Sequence, residues 1–226
     1  MKHLLNWLLP NLCLWCLQPM AAKDHQLCAH CIAALPRLSL QHDQLARSRI
    51  GHRLPQLHID GLLSLSWYQL PWSRWIVAWK FQRDLAAGEA LCQRFAAACQ
   101  HWAALGLEAD AVCYVPMTRW RQWHRGFNQA HQLANIVARQ LQLPLWHGLR
   151  NSTHRHQVGQ TGLMRRAQTN RFCRDGSAVP RSVLLVDDVI TTGSTCNQIA
   201  GLLKAAGCTS IIVLTLAITP PPEGIA

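Results

Sequence analysis

The stretch VLLVDDVITTGST, from Val183 to Thr195, decides how the rest of the chain is read. Four apolar residues run straight into Asp187 and Asp188, and soon afterwards the hydroxyls of Thr191, Thr192, Ser194 and Thr195 gather around Gly193. A short continuous apolar run, SVLLV, fits a parallel strand covered on both faces. Behind it, STCNQIAGLLKAAG has helical spacing, with Ile199, Leu202 and Leu203 inward and Gly207 as its stop. The aspartates therefore fall at the carboxyl end of a buried strand, and residues 191–195 form the turn into a helix.

A turn whose backbone N–H groups converge at a helix amino terminus cradles phosphate, and hydroxyls add donors. Two carboxylates beside an anion repel it unless they face sugar hydroxyls or a divalent cation. A ribose 5-phosphate carrying its own magnesium satisfies both halves. The chain has no G-x-x-x-x-G-K-[ST], which excludes a P-loop. A phosphorylatable receiver domain would need a further aspartate downstream, and none follows Asp188. A merely acidic strand end with a Thr-rich helix cap is the structural alternative. The joint presence of the aspartate pair and the TTGST turn speaks against it.

The surrounding pattern alternates. ADAVCYV suggests a strand, FNQAHQLANIVARQLQ a helix with Leu133, Ile136, Val137 and Leu141 on one face, LPLWHGL another strand and SIIVLTLAI a last one. This predicts an α/β fold, an open and mainly parallel sheet with ligands at the carboxyl ends of its strands. Further toward the amino terminus, LLSLSWYQL suggests a strand and EALCQRFAAACQHWAALG an alanine-rich helix. Between them Trp72, Trp75 and Trp79 recur three and four apart, which puts their indoles on one helical face. The spacing favours a buried stripe over a base-stacking platform.

The 226 residues carry a formal charge of +11, which favours polyanionic partners such as nucleic acid or phosphorylated ligands. Half of the residues are hydrophobic, which excludes a disordered chain. The opening MKHLLNWLLPNLCLWC is broken by Asn6 and Pro10 and does not fit an export signal. No stretch reaches the roughly 18 apolar residues of a membrane span. The expectation is a soluble cytoplasmic protein.

In that compartment the cysteines at the amino terminus suggest a metal. Cys13 and Cys16 form CLWC, and Cys28 and Cys31 form CAHC. Two such pairs a short loop apart predict a closed tetrahedral thiolate site for structural zinc. Buried apolar thiols or a redox pair are the alternatives. Cys92, Cys99, Cys113, Cys173, Cys196 and Cys208 are scattered singly and are expected in the core.

A further run, TRWRQWHRGF, alternates Arg119, Arg121 and Arg125 with Trp120, Trp123 and Phe127. Such a run offers cations for a phosphate backbone and rings on which bases stack. With His154 to His156, Arg165, Arg166, Arg171 and Arg174 it could build one positive surface for single-stranded DNA. The competing reading is that the arginines neutralise pyrophosphate while the tryptophans pack under a hood.

VLLVDDVITTGST resembles the phosphoribosyl pyrophosphate signature of type I phosphoribosyltransferases, and VPMTRWRQWHRGFNQAHQLA resembles a hallmark of one branch, the ComF family with its GntX-like members. CLWC, CAHC and Lys80-Phe81 also match that family. The resemblance implies a phosphoribosyltransferase-like sheet with a small four-cysteine zinc module, and a link with competence and the use of external DNA. It implies residues 1–36 as the zinc module, 37–108 as linker and hood, 109–220 as the phosphoribosyltransferase-like domain and 221–226 as a tail.

Role by role, it implies that Asp187 and Asp188 contact ribose hydroxyls with magnesium nearby and that Thr191, Thr192, Gly193, Ser194 and Thr195 hold the 5-phosphate. Pro116, Met117, Thr118 and Arg119 fall where pyrophosphate binds, with Arg119 a catalytic candidate beside the aspartates. Arg125, Gly126, Phe127, Asn128 and Gln129 match an RGFNQ block beside the same pocket, and with Trp120, Arg121 and Trp123 are candidates for nucleic-acid or pyrophosphate contacts. QTGL at Gln160 to Leu163 and Asn170 resemble a later block with altered spacing. Two functions follow: a phosphoribosyltransferase or phosphoribosyl pyrophosphate-binding protein with an unidentified acceptor, or an adaptor for single-stranded DNA, working with a competence helicase, whose pocket is a sensor or relic.

Overall fold

The computed structural model describes residues 11–20, 26–41, 43–46, 58–151 and 172–220, without the side chain of Arg119. In chain order come helix α1 (Ala29–Ala34), a 3-10 turn (Gln44–Ala46), strand β1 (Gly61–Trp67), helix α2 (Trp72–Val77), a π-helical turn (Ala78–Gln82) and helix α3 (Leu85–Ala104). Strand β2 (Ala111–Tyr114) and helices α4 (Arg119–Arg125) and α5 (Gln129–Leu141) follow. Strands β3 (Leu149–Asn151), β4 (Phe172–Arg174) and β5 (Ser182–Ile190), helix α6 (Ser194–Ala205) and strand β6 (Ser210–Ile218) complete the series. The order β1-β6-β5-β2 makes one sheet with every pair parallel, while β3 and β4 pair antiparallel beside it.

The centre of this architecture is β5. Val183 and Leu185 pack into a layer with Ile199, Ala200 and Leu203 of α6, and Leu184 and Val186 into another with Leu133 and Val137 of α5 and Phe95 of α3. Both faces are covered, so the run is apolar without alternation. The strand is longer than its apolar part suggests: pairing with β6 continues through Asp187↔Thr215 to Ile190↔Ile218.

Local chemistry sets the helices. Asp84 caps α3, its carboxylate accepting from the Ala87 N–H at 3.0 Å. Ala87, Leu91, Phe95, Ala98 and Trp102, three or four apart, then form the buried stripe of that helix. Asn128 caps α5 in the same way, accepting from the Ala130 N–H at 3.0 Å. Trp72, Trp75 and Trp79 are all buried, and the Trp72 indole donates to the Pro36 carbonyl at 2.7 Å. The tryptophan stripe is core, as its spacing indicates.

Three expectations change. LPLWHGL is not a full strand: only Leu145 bridges to Val112, and β3 begins at Leu149. Pro144 has no N–H to give to a ladder, so its carbonyl alone takes the Val112 N–H at 2.9 Å. The strand at 61–67, within the span assigned to linker and hood, is an edge of the main sheet, because its registered partner is β6. Cys173 is exposed, whereas Cys99, Cys113, Cys196 and Cys208 are buried and Cys92 is half-buried. Among the described residues no helix is long and apolar enough to cross a membrane.

The π-helical turn is clamped between α3 and Phe127, in the link from α4 to α5. Trp79 lies 5.8 Å from the Phe127 ring, and a Cβ added at Gly88 would sit 2.5 Å from the Trp79 indole. Alanine is the better helix former by about 1 kcal/mol, but overpacking a rigid buried indole costs about 1–3 kcal/mol. Gly88→Ala is therefore expected to destabilise the protein by about 1 kcal/mol, a fall of about 2–4 °C in Tm by thermal denaturation.

Candidate functional site

Successive side chains of a strand point to opposite faces, so adjacent aspartates meet different neighbours. Asp187 turns toward α6, with its Oδ1 accepting from the Asp188 N–H at 2.8 Å and its Oδ2 lying 3.9 Å from Cys196 Sγ. Asp188 turns toward the π-helical turn and pairs with Lys80 at 2.8 Å, the two side chains being only 15 % and 17 % exposed. Burial, and then the charge on Asp188, push the Asp187 carboxyl up to about 7.

Beyond β5 the chain folds around a hollow of about 30 Å³ lined by Asp187 and residues 189–196. Gly193 holds a left-handed φ of 70° at the start of α6, and no side chain caps that helix. Apart from that of Ser194, the first N–H groups of α6 thus stand open to another acceptor, at the positive end of its dipole. Thr191, Thr192 and Ser194 are exposed and Thr195 half-buried around the turn, with Thr192 Oγ1 accepting from the Ser194 N–H at 3.4 Å.

The loop after β2 emerges beside the aspartates, because the Val115 N–H donates to the Val186 carbonyl at 3.0 Å. Pro116 is buried and its carbonyl accepts from Asn151 Nδ2 at 3.1 Å, while Met117 is half-buried. Thr118 caps α4, its Oγ1 accepting from the Arg121 N–H at 3.3 Å. Arg119 begins α4, and its side chain lies outside the described residues.

The RGFNQ block divides into separate tasks. Arg125 lies 4.8 Å above the Phe81 ring, a cation–π distance, and Gly126 ends α4 with a φ of 84°. Phe127 packs on Trp79. Asn128 Nδ2 donates to the Val115 carbonyl at 3.1 Å while its Oδ1 caps α5. Gln129 is fully buried, and among the described residues neither end of its amide has a partner. Leaving such a group unpaired costs about 1–3 kcal/mol. Phe127 and Asn128 are thus engaged in packing and capping.

Trp120 and Trp123 behave otherwise, at 66 % and 82 % exposed. Among the described residues no hood covers them. Trp120 stacks on His124 at 5.5 Å, and α4 with the end of the π-helical turn encloses a cleft of about 440 Å³. Arg83 Nη2 crosses that cleft to donate to the His124 carbonyl at 3.0 Å. On the other side of the 116–118 loop a second hollow, about 450 Å³, gathers the rings of Tyr114, His131 and His147. Burial, and then His147, lower the His131 pKa.

At the amino terminus the sulfurs of Cys13, Cys16, Cys28 and Cys31 all lie within 4.8 Å of one another. The Cys28 N–H donates to Cys13 Sγ and the Cys31 N–H to Cys28 Sγ, each at 3.4 Å, as thiolates in a metal knuckle require. All four ligand positions of a tetrahedral ion are thereby supplied, and the cluster can hold a metal. Its surroundings belong to the main core, since Leu27, Cys31 and Leu35 cluster with Trp72 and Trp75.

Lys80 and Arg83 line the site without any role assigned to them by a sequence motif. Lys80 stands out only as half of a dipeptide, and no periodicity marks Arg83. Lys80 lies within the π-helical turn and Arg83 just past it with a left-handed φ of 56°, so neither follows the spacing of a regular helix. His154 to His156, Gln160 to Leu163, Arg165, Arg166, Asn170 and Arg171 lie outside the described residues. Arg174 is half-buried and donates to the Ser177 carbonyl at 3.0 Å.

The raised Asp187 pKa makes the stability of the fold depend on pH. Its ordinary value is 3.8, so between that and about 7 the folded protein keeps a proton that the unfolded chain has released. Stability falls as pH rises through this window. Asp187→Asn is expected to raise Tm by a few degrees at about pH 8, and the gain should vanish at about pH 4, as read by thermal melts across pH.

Residues 128–223 match the phosphoribosyl transferase domain family. The DNA utilization protein YhgH of Escherichia coli O157:H7 is 30 % identical over 222 residues, covering 92 % of this chain and 96 % of that one. Competence protein F of Haemophilus influenzae is 41 % identical over 117 residues, covering 48 % of this chain and 50 % of that one. Among solved structures, purine phosphoribosyltransferase from Pyrococcus horikoshii aligns with a TM-score of 0.36 at 16 % identity over 73 % of this chain and 83 % of that one. With a phosphoribosyl transferase domain behind a four-cysteine cluster, and matched along nearly its whole length, the chain belongs to the ComF family that includes competence protein F and the DNA utilization protein YhgH.

Proposed function

We propose that the chain binds phosphoribosyl pyrophosphate with magnesium and acts in the uptake or use of external DNA. The observation that carries this reading is the uncapped start of α6, wrapped around a hollow that Asp187 also lines. The N–H groups of that turn, with Thr191, Thr192, Ser194 and Thr195, hold the 5-phosphate. Asp187 and Asp188 accept hydrogen bonds from the ribose hydroxyls and are the carboxylates that would take the cation. The hard oxygen donors fit magnesium, which would neutralise the pyrophosphate as it leaves. Pro116 to Thr118, set beside the aspartates by the register of β2, face the pyrophosphate, with Arg119 next in line. The four thiolates take zinc, whose role in a closed site is structural. DNA utilisation comes from the names of the relatives, YhgH above all.

A second reading, a single-strand-binding adaptor, is favoured by one observation: Trp120 and Trp123 stand in solvent between basic residues. Stacking of bases on such rings contributes about 1–3 kcal/mol per base. The two readings are compatible, because the rings and the aspartates lie on different elements.

Calorimetric titration of the zinc-loaded protein with phosphoribosyl pyrophosphate and magnesium tests the first. Saturable binding is expected, and its loss in Asp187→Ala, Asp188→Ala; an intact protein that binds nothing refutes it. For the second, fluorescence anisotropy of labelled oligothymidylate should show binding that weakens steeply with salt and falls about tenfold or more in Trp120→Ala, Trp123→Ala. Undiminished affinity in that variant sinks the adaptor reading.

A further inference from the structure

One ammonium belongs to two sites. Lys80 pairs with Asp188 at 2.8 Å, and it also lines the 440 Å³ cleft. The cleft's other walls are Phe81 and Arg83 on one side and Trp120, Arg121, His124 and Arg125 on the other. Four cations therefore face it, and among the described residues no carboxylate lines it. Phe81 and Trp120 are 65 % and 66 % exposed, so rings and cations alternate around an open space. Such a space suits a phosphodiester strand whose bases stack while its phosphates meet the cations.

Lys80 cannot serve both neighbours at full strength. Its charge is a compact point on a flexible four-carbon stem, able to swing between carboxylate and cleft. Pairing with Asp188 withholds that charge from the cleft, and it also covers the carboxylate that a sugar hydroxyl or a cation would need. Breaking the pair is costly while nothing replaces it, because both partners are largely desolvated. Whichever ligand arrives first bears that cost, and the second is spared it.

We propose that Lys80 couples the two sites: occupation of Asp187 and Asp188 by a sugar phosphate with its cation releases Lys80 into the cleft, and a single strand in the cleft draws Lys80 off Asp188. The coupling is positive and, by linkage, the same size in both directions. It rests on the reading of the aspartate pocket given above. It adds a device that neither the signature motif nor the basic run contains, since Lys80 lies in neither.

The experiment uses the full chain with its metal. Magnesium phosphoribosyl pyrophosphate is titrated with and without saturating oligothymidylate, and oligothymidylate with and without the sugar phosphate. Each ligand should tighten the other by roughly five- to tenfold in the parent protein, a coupling of ordinary size. In Lys80→Met the factor should drop to about one, with the sugar phosphate binding more tightly than to the parent when no strand is present. In Asp188→Asn, where Lys80 is free and the cleft untouched, oligothymidylate should bind more tightly than to the parent. This variant keeps the test alive if Lys80→Met folds poorly. Inorganic polyphosphate, which has no bases, should bind more weakly than the oligonucleotide; equal binding assigns the cleft to polyphosphate and overturns the proposal. Independent binding of the two ligands to the parent overturns it too, as does weaker sugar phosphate binding by Lys80→Met, which would make Lys80 a direct ligand. A parent protein that binds no phosphoribosyl pyrophosphate overturns the reading of the pocket and the coupling with it.

Discussion

A strand covered on both faces must send successive side chains into opposite layers, and at the end of β5 that constraint falls on two carboxylates in a row. Asp187 enters the α6 side and Asp188 the side of α3 and α5. Neither layer can leave a bare charge, so each supplies a different remedy. Asp187 holds its proton up to about 7, pushed there first by burial. Asp188 recruits a cation from a segment more than a hundred residues earlier in sequence. Lys80 is in place because Trp79 wedges between Gly88 and Phe127, which fixes the π-helical turn. The packing of the amino-terminal half is thus tied to the charge state of the sheet.

The cysteine cluster feeds the same chain of dependence. A segment of this length cannot bury a core of its own, and a metal held by the four cysteines would organise it instead. Leu27, Cys31 and Leu35 join the layer of Trp72 and Trp75, and Trp15 meets Trp75 edge-on at 6.3 Å. Gln26 donates to Glu89 of α3 at 2.9 Å. The knuckle is consequently a buttress for α2 and the π-helical turn.

What the sequence shows of this is uneven for physical reasons. The β5 to β6 unit was legible because one strand buried on both faces, a Gly-centred turn and an amphipathic helix each leave a local pattern. The core role of Trp72, Trp75 and Trp79 was legible for the same reason. LPLWHGL misled because its apolar content is strand-like, yet Pro144 leaves only a bridge. Cys173 misled because a lone cysteine between Phe172 and Arg174 alternates outward on β4. Phe127 and Asn128 sit in a motif that looks like a binding block, and their packing and capping within the fold leave no separate mark in it. The ion pair of Lys80 with Asp188 was not legible at all, because a long-range contact made from a π-helical turn has no period to betray it.

The two remedies at the end of β5 differ in what undoes them. Protonation of Asp187 yields to pH or to any ligand that brings positive charge. The ion pair of Asp188 yields only when something else satisfies both partners, and a largely desolvated pair of this kind adds little net stability compared with apolar packing. Its value lies in exclusivity: while Lys80 covers Asp188, neither the carboxylate nor the ammonium is available elsewhere. A net charge of +11 would otherwise favour any polyanion at the cleft. Withholding one cation from that cleft, next to exposed rings, makes its strength depend on the state of the pocket beside it. The placement of a single lysine therefore decides whether the sheet's acidic end and the basic helix α4 behave as neighbours or as one site.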